Sequence, residues 1–145
     1  MGRRPARLLL GVGLLLVVGC SAAPPEFGEV RGKVTLSGKP LAGIVVTFYP
    51  ATEGNEGLPA ASGKTDATGT YALATASGQP GAVVGKHRVV VSWPAPERPA
   101  NWEKGVPSPR PPGPLIPLKY TVALDTPLVF EVKPGPQTID LPLER

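Results

Sequence analysis

Two residue types that could carry chemistry occur once each in this chain, a cysteine at position 20 and a histidine at position 87. A cysteine thiolate is a strong side-chain nucleophile and a natural acceptor for a transferred lipid. As the only cysteine, Cys20 has no partner for a disulfide within the chain. His87, as the only histidine, excludes a multi-histidine metal site, and a Ser-His-Asp triad would have to use this one ring. It lies in the run GKHRVVVSW, Gly85 to Trp93, where His87, Val89 and Val91 share one strand face and Arg88, Val90 and Ser92 the other. A histidine on an apolar face is a satisfied, partly buried core residue unless a nucleophile and an orienting acid stand beside it. No G-x-S-x-G elbow, phosphate loop or H-E-x-x-H helix is present. Asp66, Thr68 and Gly69 could begin a calcium loop, but the alternating oxygen ligands and the distal glutamate are missing, so Asp66-Ala67-Thr68-Gly69 reads as a type I turn. No catalytic, cofactor-binding or metal site is therefore expected, and the chain is not expected to be an enzyme.

The surroundings of Cys20 say more. Arg3, Arg4 and Arg7 precede an apolar run, Leu8 to Val18, that only glycines interrupt, and Gly19-Cys20 follows at once. This is the n-region, h-region and cleavage layout of a signal peptide. The run is shorter than the roughly 20 residues a spanning helix needs. Val17-Val18-Gly19-Cys20 resembles the lipobox of bacterial lipoproteins. That resemblance implies a signal peptide over 1–19, cleavage before Cys20, a diacylglycerol on the Cys20 sulfur and fatty acyl chains, such as palmitate, on the new amino terminus. Two or more chains hold a protein firmly on a membrane where one binds only reversibly. Residues 20–29, with Ala22-Ala23-Pro24-Pro25, read as the lipidated cysteine and an extended tether. The alternative for Cys20 is a small residue closing an ordinary secretory signal.

The net charge of +4 is not a nucleic-acid footprint. Without residues 1–19 the fifteen basic residues become twelve against eleven acids, or +1. With 145 residues the chain has room for one ordinary domain, and 18 glycines and 20 prolines between short apolar bursts predict many turns joining short strands. Val30 to Leu36 and Ile44 to Tyr49 alternate with a period of two and read as an opening hairpin around Ser37 to Gly43. Ala60 to Thr65 and Thr70 to Leu73 read as a second hairpin over the Asp66 turn, with Tyr71 and Leu73 facing one way. Gly85 to Trp93 is the strongest strand. Pro127 to Lys133 turns Leu128, Phe130 and Val132 inward, and Gln137 to Leu143 turns Ile139, Leu141 and Leu143 inward, with Pro142 implying an edge. Nine prolines between Pro94 and Pro117 forbid a regular ladder there, which makes 94–117 a long inserted loop. The expected fold class is all-β, one seven-stranded antiparallel β-sandwich over 30–144.

Three motifs carry a further resemblance. Val30-Arg31-Gly32-Lys33-Val34 with Gly38-Lys39-Pro40-Leu41-Ala42-Gly43, then Thr65 to Tyr71, then Gly85-Lys86-His87-Arg88-Val89 resemble, in order and spacing, the carboxypeptidase regulatory-like domain. The resemblance spans about residues 29 to 143 and implies a transthyretin-like sandwich, non-catalytic and without zinc ligands of its own. The proline-rich insertion, and His87 where related domains tend to place a tyrosine, depart from the pattern. Related sandwiches in surface adhesins can crosslink a lysine to an Asx residue, but Lys33 and Asp140 alternate with the inward set and should face solvent.

Trp93, Trp102 and Tyr120 flank or lie within the insertion, beside Arg98, Lys104 and Arg110. Such aromatics could stack on sugars or hold a partner chain, whereas Trp102 folded back would protect a sheet edge. The functional expectation is a cell-envelope lipoprotein, held on a membrane by lipid on Cys20 and facing outside the cytoplasm, with a structural or accessory role. The alternative is an envelope binding module that recognises a glycan, a wall polymer or a partner protein through the proline and aromatic loop.

Overall fold

Alternation of apolar and polar side chains builds strands here, and glycines decide where they meet. The computed structural model describes residues 2, 19, 23–54, 57–96, 107 and 112–145; Cys20, Trp102 and most of 97–111 lie outside the described residues. In chain order the strands are β1 (Phe27–Gly28), β2 (Val30–Leu36), β3 (Lys39–Pro40), β4 (Val45–Pro50), β5 (Ala61–Lys64) and β6 (Thr70–Ala72). They continue as β7 (Ala74–Thr75), β8 (Ala82–Val83), β9 (Gly85–Ser92), β10 (Val129–Val132), β11 (Gln137–Thr138) and β12 (Leu141–Leu143), with one 3-10 turn at Leu118–Tyr120. The chain is all-β. Pairing begins at Phe27, where Phe27 and Gly28 lie opposite Val83 and Ala82, inside the stretch read as tether. Two residues are too few to show a period.

The first sheet is antiparallel throughout, in the order β10-β9-β4-β5-β7. The second is organised on β2, which takes β6 and β3 antiparallel, and β11 and β12 parallel. A purely antiparallel sheet was expected, and the C-terminal strands overturn it: Leu141 and Leu143 lie opposite Val34 and Leu36, running the same way. They reach β2 from the other sheet, so no hairpin dictates their direction. Among the described residues β11 and β12 pair only with β2, which leaves Pro142 at an edge where its missing N–H breaks no ladder.

Neither expected hairpin forms. β2 and β4 belong to different sheets, and the eight residues between them form a corner in which Leu41 and Ile44 are buried. The tight turn is shorter: Ser37 and Gly38 both have positive φ, 49° and 79°, as a two-residue primed turn requires, and pair Leu36 with Lys39. Likewise β5 pairs with β4 and β7, whereas β6 crosses to β2. The Asp66–Gly69 turn is present as read, with the Gly69 N–H donating to the Asp66 carbonyl at 3.0 Å, but it turns the corner between sheets.

The inner faces share one core. Val30, Val34, Leu36, Tyr71, Leu141 and Leu143 meet Val46, Phe48, Val89 and Val91, and the Phe48 and Tyr71 rings lie 6.4 Å apart across it. The residues expected inward from Leu128 to Leu143 are buried except Phe130, which is half-buried against the core. Between β11 and β12 the ladder is interrupted. The Ile139 carbonyl turns under Gly32 and accepts the Tyr71 hydroxyl at 2.5 Å, while the Asp140 carboxylate takes the Lys33 N–H at 2.9 Å. Burial pushes the Tyr71 phenol well above its ordinary value, and the Asp140 charge adds to this.

A Cβ added at Gly32 would sit 1.8 Å from the Ile139 oxygen, whereas at Gly38 it would meet nothing within 4 Å. Gly32→Ala should therefore cost about 3 kcal/mol or more by overpacking, and Gly38→Ala about 1 kcal/mol from its positive φ. Urea midpoints of the two variants, compared at equal m-value, check this; equal losses would refute the close approach.

Candidate functional site

The registers divide the fold into two poles. At one, β1 and β8 adjoin Gly85, Val132 and Lys133, and the chain from the amino terminus enters the fold. At the other lie the ends of β2 and β12, the start of β4 and the end of β9. The 94–117 insertion leaves and returns at this second pole.

Trp93 stands where the insertion departs. Its indole N–H donates to the Pro114 carbonyl at 3.0 Å, its ring is packed against the core, and a Cβ on Gly113 would lie 2.4 Å from it. The ring thus clamps the returning limb of the insertion against the core. Tyr120 is 5% exposed and belongs to the core itself; its hydroxyl accepts the Glu144 N–H at 3.1 Å, and the Lys119 ammonium lies 4.9 Å from its centroid. Placed so, the Tyr120 ring offers no open face for a ligand. Trp102 falls outside the described residues, as does Cys20.

What this pole does expose is aliphatic. Leu115, Leu118 and Leu124 are 78%, 81% and 83% exposed, and Val122 is exposed beside them. These residues were not singled out by sequence reasoning, because an isolated leucine between prolines carries no period. Single exposed leucines are common, but several within ten residues of chain are worth noting.

His87 is more deeply enclosed than a partly buried residue. It is 1% exposed, 5.9 Å from the Phe48 ring, and its Nδ1 lies 3.0 Å from the Gly85 carbonyl, which makes Nδ1–H the donor. Its Nε2 is buried and has no hydrogen-bond partner among the described residues. Burial lowers its pKa below the ordinary histidine value, with the Gly85 bond opposing. No serine or acid is placed beside the ring among the contacts described. Among the described residues no three His, Cys, Asp or Glu side chains gather as a metal site.

Asp66 serves the corner. One carboxylate oxygen accepts the Thr68 N–H at 2.8 Å, the Thr68 hydroxyl at 2.7 Å and the Thr70 N–H at 3.0 Å. The Thr68 hydroxyl bond and then the two amide bonds hold its pKa below the ordinary value. Lys33 and Asp140 are both exposed, and the link between them is the backbone N–H of Lys33 to the Asp140 carboxylate. No helix among the described residues is long and apolar enough to cross a membrane. No family model, curated protein or solved structure matches the chain.

The Trp93 clamp gives a double-mutant cycle. Gly113→Ala should cost about 1 to 3 kcal/mol where the indole is present and close to nothing in a Trp93→Ala background, where the new methyl has room. Urea denaturation of the four proteins measures the coupling, and strict additivity would show that ring and glycine do not touch.

Proposed function

We propose that this chain is a bacterial cell-envelope lipoprotein, anchored by lipid on Cys20 and carrying a non-catalytic β domain with a structural or accessory role outside the cytoplasm. The observation that carries this reading is the order of residues 1–20: three arginines, an apolar run too short to span a membrane, then the single cysteine. Lipid on that sulfur also accounts for a lone thiol on an exported chain. The position of β1 supports the reading, because the segment following Cys20 enters the fold at one pole and leaves the rest of the domain free to project away from a membrane. The finer fold reading is a seven-stranded transthyretin-like sandwich of the carboxypeptidase regulatory-like kind. Seven principal runs support it: β2, β4, β5, β6, β9, β10 and the interrupted β11–β12.

The aliphatic pole favours a second reading, an envelope binding module. Tyr120 is spent in the core and the Trp93 ring is covered by Gly113, so stacking on a glycan has lost two of its three aromatic platforms. The exposed leucines suit a partner protein better.

Intact mass of the membrane-extracted protein, wild type beside Cys20→Ser, tests the first reading. The expected wild-type mass begins at Cys20 and carries acyl chains that the variant lacks; a soluble, unlipidated chain cut elsewhere would overturn it. Leu115→Ser combined with Leu118→Ser and Leu124→Ser tests the second, because these three exposed side chains form the surface it relies on. On the accessory reading, membrane localisation and the urea midpoint stay unchanged and no contact is lost; on the binding reading, a protein crosslinked in the intact envelope through this pole disappears.

A further inference from the structure

β10 is an edge strand. Among the described residues its four residues pair only with β9, Phe130 lying opposite His87, and on the other side of His87 stands Pro50 of β4, which has no N–H. The histidine ring is therefore set at the inner face of a three-strand row whose outer member has a single neighbour. Nδ1–H is committed to the Gly85 carbonyl, and Nε2 faces the interior without a partner. A neutral ring tolerates this, because only one weakly solvated lone pair is left over. An imidazolium does not, because its second N–H would be a buried donor on a buried charge.

Among the described residues nothing packed around the ring offers a counter-charge. Along its own strand Lys86 and Arg88 point to the exposed face, as does Glu131 of β10, which lies opposite Lys86. From β4 the inner face presents Val46 and Phe48, and from the second sheet Tyr71, whose hydroxyl is already bound to Ile139. The 3-10 turn contributes Tyr120, with Lys119 exposed beyond it. The acids and bases of this region thus sit outside the core, on the far side of the sheet.

We propose that His87 is an acid-released latch for the β10 edge: the ring stays inside while neutral, and on taking a proton from solvent at Nε2 it leaves the core by displacing β10 from β9. The β4 side is closed by β5 beyond it, whereas among the described residues β10 has no further strand to hold it, so the edge is where the charged ring reaches water. The sign follows from linkage. Folding lowers the pKa of this histidine, so the unfolded or opened form binds more protons below about 6.5, and stability falls as pH drops from that value. In this window the opening equilibrium grows by up to about tenfold per pH unit, for one proton, until the buried ring itself titrates.

Full-length protein in mild detergent, without a histidine tag, tests the latch, because its single histidine gives one imidazole signal. Between pH 7.5 and 5 the urea midpoint of the wild type should fall, and His87→Leu should abolish that part of the slope. His87→Phe is the second variant should leucine fail to fold. Amide protection, corrected for intrinsic exchange, should fall at Val129–Val132 before it falls at β4. Parallel pH profiles in wild type and variants would overturn the proposal. So would an imidazole signal that titrates at its ordinary value while β10 remains protected, a measurement that needs no variant.

Discussion

The approach of the Ile139 carbonyl to Gly32 is the contact on which this structure rests. A backbone oxygen occupies the space a side chain would take, and only a residue without a Cβ allows it. Because that oxygen has left the ladder, the strand at the C-terminal edge is interrupted, and the Asp140 carboxylate replaces the missing acceptor for Lys33. Because the oxygen points inward, Tyr71 can reach it, and Tyr71 is also the ring that meets Phe48 from the facing sheet. One glycine thus sets the edge strand, the buried hydroxyl and the contact between sheets. The same device recurs at Gly63, where a Cβ would meet the Ala72 carbonyl at 2.2 Å and where the chain passes from β6 back to β7.

Much of this was legible in the residues. The period of two marks β2, β4 and β9, the inward sets of the C-terminal strands are largely those the alternation gives, Asp66 to Gly69 is the turn its side chains demand, and Pro142 lies at an edge. What alternation cannot say is which strand a strand pairs with. Leu41 reads as part of a turn and Ile44 as the start of the second strand, yet both are buried at a corner, so the two opening runs part to different sheets. The parallel partnership of β12 with β2 depends on a crossing between layers that leaves no local mark. Tyr120 sits next to a proline-rich stretch, and only the tertiary fold assigns it to the core. The strand Phe27–Gly28 is too short for any pattern.

The arrangement separates tasks along its length. One pole receives the chain from its amino terminus, and the other presents the insertion, clamped at its root by Trp93 and edged with leucines. His87 belongs to the frame yet is its least satisfied member, an imidazole with half its hydrogen-bonding capacity unused inside a hydrocarbon core.

The parallel pairing of Leu143 with Leu36 has a consequence in time. β2 is among the first parts of the fold to be synthesised, yet of its neighbours only the two-residue β3 is local; β6 arrives later, and β11 and β12 about a hundred residues after it. Closing such distant pairs requires loop-closure entropy before any contact rewards it, so folding waits on the far end of the chain. Until Leu143 exists, the central strand lacks one of its two flanks and the core lacks one wall. The native pairing of the central strand is therefore complete only once Leu143 is available.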